Sequence, residues 1–203
     1  METPRLVVVK VGGSLLDWEG LPGALRSYLD GLNTERVLLV VGGGKAADFL
    51  RELDSLHGIG EKRAHELALR MLGVTAHLVA ALIPGVEVVE RIEELADVWE
   101  RRLVPALAPR RLLEHDDRRT ADPLPECWNV TTDSIAARAA VLIGARSLRL
   151  LKSVSVGGPL GRTEAARRGL VDGYFPLAAA SLERVSMVNL RRSPPTVDDL
   201  ERD

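Results

Sequence analysis

The run Val7-Val8-Val9-Lys10-Val11 leads directly into Gly12-Gly13-Ser14. β-Branched residues without polar alternation form a strand buried on both faces, and such strands occur in parallel sheets covered by helices on each side. The two glycines end it in a tight loop whose backbone N–H groups stand bare, because no Cβ shields them. A helix starting just after such a loop adds the positive end of its dipole, so the arrangement is a phosphate cradle in outline. Taken singly it is a weak signal, since strand–glycine turns also close ordinary α/β units.

The pattern returns at Val37-Leu38-Leu39-Val40-Val41, followed by Gly42-Gly43-Gly44-Lys45. Three successive glycines cost chain entropy on folding, which points to a backbone that must stay uncovered. Two such strand ends suit a reaction that holds two anionic groups side by side, as phosphoryl transfer does. Neither is a Walker loop, because Lys45 precedes Ala46 and no glycine stands five residues before Gly44. Neither has GxGxxG spacing, which leaves a Rossmann-type oxidoreductase a poor reading.

A chain of 203 residues, 46% hydrophobic and 28% charged, is one α/β domain of ordinary size. Residues 1–190 read as that domain, and residues 191–203, with Pro194-Pro195 and four acids after them, as a mobile tail. A net charge of −2 with no dense basic stripe argues against nucleic acid. The single cysteine, Cys127, excludes a disulfide framework or a cysteine metal site within the chain. With no signal peptide and no run of 18 apolar residues, the expectation is a cytoplasmic protein without membrane contact. Only four of the 27 basic residues are lysine, Lys10, Lys45, Lys62 and Lys152, and three of these stand at strand ends or glycine loops. Lysine is a compact charge able to follow a moving phosphoryl group, where arginine is a fixed fork.

Apolar spacing predicts helices over 19–32, 45–53, 61–82, 91–102, 135–143 and 176–182, and strands over 103–107, 148–151 and 185–190. The buried face of the second helix is expected at Ala46, Phe49, Leu50 and Leu53. That of the long third helix is expected at Ala64, Leu67, Ala68, Met71, Val74 and Leu78. His65, near the start of the third helix, is either a core histidine or faces the cleft. The polar stretch 114–126 reads as an exposed loop with solvated charges. In Cys127-Trp128-Asn129-Val130-Thr131-Thr132-Asp133-Ser134 the threonines are natural N-caps, and Asp133 suits the dipole of the following helix. Asp133 also suits a second role, aiming lysine ammonium groups at a developing charge. Lys152-Ser153 ends another strand.

In this order, strand-Lys10-x-Gly-Gly-Ser, strand-Gly-Gly-Gly, Thr-Asp-Ser at a helix start and strand-Lys152, the chain resembles the amino acid kinase family over residues 5 to about 190. The resemblance implies a three-layer α/β/α sandwich with a mainly parallel open sheet. It also implies an ATP-dependent kinase with a small anionic acceptor, a carboxylate or phosphate, and assembly as a homo-oligomer. Lys10 would bridge the transferred phosphoryl group, Asp133 would orient Lys10, and Lys152 would neutralise the leaving ADP. Gly12, Gly13, Ser14 and Ser153 would hold the nucleotide. Gly42, Gly43, Gly44, Lys45, His65, Asn129, Thr131 and Thr132 would hold the acceptor. Mg²⁺ would come with ATP, and no protein metal site is expected.

Within the family, His65-Glu66-Leu67-Ala68, Trp128-x-x-Thr131-x-Asp133-Ser134 and Asp172-x-x-Phe175-Pro176 resemble the kinases of methanofuran biosynthesis, which act on a furanmethyl phosphate. Many family members carry two acids in the segment after the Lys152 strand. Here that segment is Lys152-Ser153-Val154-Ser155-Val156. This departure keeps a second reading open, a non-catalytic nucleotide- or oxyanion-binding oligomeric scaffold.

Overall fold

The computed structural model describes residues 5–203. The two valine-rich strands, β1 (Arg5–Val11) and β2 (Glu35–Val41), pair in parallel at the centre of the sheet. Their register sets Val11 opposite Val41, so the two glycine loops leave the sheet side by side. On the other side of β1 lies β5 (Ser147–Lys152), with Lys10 opposite Leu150. Strand side chains alternate between faces, so Lys152, two residues beyond Leu150, projects from the same face as Lys10. The pairing thus gathers both lysines and both loops at the carboxyl ends of adjacent strands, the usual ligand edge of an open α/β sheet.

The remaining strands are β3 (Val86–Val89), β4 (Val104–Leu107), β6 (Leu160–Gly161), β7 (Arg184–Asn189) and β8 (Thr196–Glu201). The sheet order is β3-β4-β2-β1-β5-β7-β8-β6, parallel throughout except where β8 runs antiparallel to β7. Helices α1 (Leu21–Asp30), α2 (Gly44–His57), α3 (Glu61–Leu82), α4 (Leu95–Glu100), α5 (Thr132–Leu142), α6 (Arg162–Arg167) and α7 (Phe175–Ala178) complete a three-layer α/β/α sandwich. Odd residues Val7, Val9 and Val11 pack with Leu21, Leu25 and Leu29 of α1. On the opposite face Val8, Leu38, Val40, Leu148 and Leu150 pack with α5 and α7. Helix α3 serves both cores, with Leu69 and Leu72 on the α5 side and Ala76 and Val79 on the α1 side. Among the described residues no helix is long and apolar enough to cross a membrane.

The structure corrects several expectations. Residues 191–203 are not a free tail, because they carry β8, which joins the sheet and buries Leu200. Phe49 is 56% exposed, and Leu50 is the buried residue of α2. The buried face of α3 is turned from the expected one: Ala64 is buried as expected and Ala68 and Met71 are half-buried, but Leu67, Val74 and Leu78 are exposed, while His65, Leu69, Leu72, Thr75, Ala76 and Val79 are buried. Helix α3 is apolar on two sides, and periodicity alone does not decide which side meets the sheet. In the stretch 114–126, Asp117 is buried, and Arg138 Nε stands 3.0 Å from its Oδ1 in an ion pair whose N–H does not point at the oxygen. Burial pushes the Asp117 carboxyl up, against the Leu124 N–H and Arg138, which favour its ionised form. Strand β3 and helix α6 had no counterpart in the periodicity, being four and six residues long.

Candidate active site

Lys10, from the strand face that meets α5, places its Nζ 2.9 Å from Asp133 Oδ1. Lys152 reaches the same carboxylate from β5, with Nζ 2.9 and 2.8 Å from its two oxygens. Asp133 is buried in the first turn of α5. Burial would raise its carboxyl, but the charges and hydrogen bonds of the two lysines outweigh this and hold it at about 2. Burial and the neighbouring Lys10 charge pull Lys152 down to about 8, against the pull of Asp133 in the other direction. Asp133 thus stands in the first turn of α5, where it suits the helix dipole, and its carboxylate also pairs with both ammonium groups.

The N-terminus of α5 is held by Asp172. Its carboxylate accepts hydrogen bonds from Thr131 N–H and Oγ1, from Ser134 N–H and Oγ, and from Tyr174 N–H. Thr131 occupies the N-cap position without capping through its own hydroxyl, which is spent on Asp172. Asp172 therefore fixes the turn that presents Asp133.

Above Lys10 lies a cavity of about 310 Å³. Gly13, Ser14, Gly42, Gly43 and Gly44 form its glycine-rich wall, Ala47, Asp48 and Arg51 line it from α2, and His65, Ala68, Leu69 and Leu72 from α3. Trp128, Val130, Thr131, Thr132 and Ile135 close it on the α5 side. The two loops also touch each other: a Cβ on Gly13 would lie 2.4 Å from the Gly44 nitrogen, and one on Gly42 would lie 2.6 Å from the Gly13 nitrogen. Bare backbone is needed for this loop-on-loop contact as well as for approach to an anion. Burial lowers the His65 imidazole, against the backbone of Cys127 and the charges of Glu126 and Glu66, so His65 enters the cavity as a neutral side chain near pH 7.

A model described as the amino acid kinase family matches residues 5–156. The chain belongs to the amino acid kinase family. It is a small-molecule kinase, a phosphotransferase. It is similar to a protein of Methanocaldococcus jannaschii described as (5-(aminomethyl)furan-3-yl)methyl phosphate kinase, at 26% identity over 204 residues, covering 95% of this chain and 91% of that protein. Two solved structures share the fold. UMP kinase from Bacillus anthracis matches with a TM-score of 0.67 at 16% identity, over 99% of this chain and 98% of its own. UMP kinase from Ureaplasma parvum matches with a TM-score of 0.65 at 13% identity, over 98% of this chain and 100% of its own.

Of the residues expected in the site of this amino acid kinase, Lys10, Gly13, Ser14, Gly42, Gly43, Gly44, His65, Thr131 and Thr132 line the one cavity. Lys152 and Asp133 lie beneath its floor, joined to it through Lys10. Gly12 lies against β5, where its N–H donates to the Leu151 carbonyl. Ser153 is outside the cavity and shares a hydrogen bond with Ser14, Oγ to Oγ 3.0 Å. Lys45 does not enter: its side chain is 83% exposed and pairs with Asp17 at 3.0 Å, because position 45 falls on the outward side of the first turn of α2. Asn129 is exposed and also stands outside. Asp48, Arg51 and Trp128 line the cavity without having been singled out as site residues. Positions 44, 47, 48 and 51 share one face of α2, a spacing visible in the sequence once the helix start is known.

Proposed function

We propose that this kinase transfers the γ-phosphoryl group of MgATP to an anionic oxygen of a small acceptor bound in the cavity between α2, α3 and α5. The observation that carries the reading is that two buried ammonium groups share one carboxylate. One positive charge is left uncompensated beneath bare loop amides, which suits a phosphoryl group whose negative charge is spread over three oxygens. In this reading Lys10 neutralises the transferred group, Asp133 keeps both lysines aimed, and Lys152 neutralises the leaving diphosphate. The acceptor oxygen bonds to the γ-phosphorus as the bond to the β–γ bridging oxygen breaks, and that oxygen leaves on ADP. The protein contributes positioning and charge, with Mg²⁺ on the nucleotide supplying further neutralisation.

The acceptor is a phosphate or carboxylate. A furanmethyl phosphate of methanofuran-type one-carbon cofactor synthesis is the first to examine, supported by the likeness to the Methanocaldococcus jannaschii enzyme. Calorimetric titration with MgATP and MgADP tests the donor. We expect saturable binding that weakens about tenfold or more in Lys152→Ala, the loss of one charge-assisted contact. Absence of binding by a folded sample would overturn MgATP as the donor. With binding in hand, turnover of the furanmethyl phosphate tests the acceptor.

A further inference from the structure

The floor of the cavity and its mouth differ in charge. Lys10 and the loop amides make the floor a place for an anion. At the mouth, on α2, stands Asp48, the one carboxylate among the described residues that line the cavity. Between them Leu69, Leu72 and Ile135 are apolar, and the Trp128 ring is a flat surface.

Asp48 is 64% exposed at its side chain, yet a chain of contacts holds it. Arg51 NH1 donates to Asp48 Oδ1 at 3.2 Å, and the Arg51 guanidinium lies 4.9 Å from the centroid of the Trp128 ring. That ring is pinned by its Nε1–H, which donates to Asp54 Oδ2 at 2.8 Å, while Asp54 Oδ1 accepts from Gly60 N–H at 2.9 Å. An exposed Arg–Asp pair three residues apart on a helix adds little to stability. Its arrangement does hold a carboxylate at the mouth with Oδ2 free of any described hydrogen bond, and Arg51 has its charge shared between Asp48 and an aromatic face.

We propose that Asp48 is the specificity-determining residue for the acceptor, binding a primary ammonium group at the end remote from the anion that takes the phosphoryl group. This rests on the reading of the cavity as the acceptor site. The acceptor class is then a zwitterion with an anion at the floor, a flat apolar middle against Trp128 and an ammonium at the mouth. Lys10 repels the ammonium from the floor, so opposite ends of the cavity fix the direction in which such a molecule enters. Arg51 is a positioning residue that acts through Asp48.

The test compares two acceptors, (5-(aminomethyl)furan-3-yl)methyl phosphate and the analogue with a methyl in place of the aminomethyl group. Both are assayed with the wild-type protein and with Asp48→Asn, which keeps shape and removes charge at an exposed position. We expect the wild type to prefer the amine in kcat/KM by about tenfold to a hundredfold, the range for a hydrogen bond between charged groups. Asp48→Asn should lose most of that preference, mainly through KM for the amine, with KM for MgATP unmoved. Equal losses on both acceptors, or a preference that survives Asp48→Asn, would overturn the assignment. A wild type that turns over both acceptors equally overturns it too, while leaving the acceptor reading intact. A wild type that turns over neither overturns the acceptor reading itself, and the assignment falls with it.

Discussion

At the scale of single residues, Lys152 carries its charge where charge is costly. Burial and the neighbouring Lys10 bring its ammonium down to about 8, so it gives up its proton as pH rises through that value. If Lys152 neutralises the leaving group, kcat/KM falls above pH 8 with a single limb, and the active form is the one below it. Lys152→Arg keeps the charge to far higher pH and should move the limb upward, at some cost in absolute rate because a planar fork replaces a point charge. A limb at the same pH in that variant would assign the titration to another group. Lys10, Asp133 and Lys152 were legible in the sequence because each ends a strand or starts a helix at a glycine-rich edge. That Asp133 would hold lysine ammonium groups was expected too, while the projection of Lys10 and Lys152 from one face was not legible, since it depends on a register that sets Lys10 opposite Leu150. Lys45 misled for the same reason. It follows three glycines in the sequence, but the turn of α2 carries it outward to Asp17.

Helix α3 shows the limit at the scale of elements. Its bounds, Glu61–Leu82, match the expected span 61–82, because a long apolar period is a strong signal. Its orientation was only partly read because two faces are apolar: Ala64 is buried as expected, but the sheet and α5 take the face of Leu69, Leu72, Ala76 and Val79. The other face leaves Leu67, Val74, Leu78 and Leu82 exposed along the helix, with Val74 60% exposed. The spacing i, i+7, i+11 and i+15 makes this one stripe, which suits the homo-oligomer expected from the family resemblance, with a second copy of α3 as occupant. We expect the protein to sediment as a dimer or larger species and Val74→Asp to shift it toward monomer, since a charge at the centre of an apolar contact is strongly disfavoured. Unchanged sedimentation in the variant would remove α3 from the contact. Asp172, which holds the first turn of α5, was noted only within Asp172-x-x-Phe175-Pro176. Nothing local in the sequence ties it to a turn some 40 residues earlier.

At the scale of the whole molecule, β8 joins β7 to the edge strand β6 and also reaches the loop that follows Lys152. Asp198 accepts hydrogen bonds from Val156 N–H and Gly158 N–H, both 3.0 Å, so its carboxylate shapes the loop that follows Lys152-Ser153. Many relatives in the resemblance carry acids within that loop. Here the acid that orders its backbone comes from β8, at a distance no local motif reveals. Arg162, buried at 2% exposure, donates to the carbonyls of Leu200, Ala179 and Leu182, and so ties β8 to the layer of α6 and α7. A proline pair and acids suggested a tail, because the sequence shows neither the antiparallel pairing with β7 nor the contacts of the buried arginine. A chain ending at Arg192 loses the burial of Leu200, worth about 2–3 kcal/mol. It also leaves the Arg162 guanidinium short of one acceptor, at a further cost of about 1–3 kcal/mol. Guanidinium denaturation should therefore show a drop of about 3 kcal/mol or more. If the fold survives it, affinity for MgATP should fall more than affinity for the acceptor, because the freed loop lies beyond β5 and away from the cavity over Lys10. Stability and MgATP affinity both unchanged would return these residues to the status of a tail, and equal losses for donor and acceptor would show that β8 supports the sheet as a whole without a particular claim on the nucleotide side.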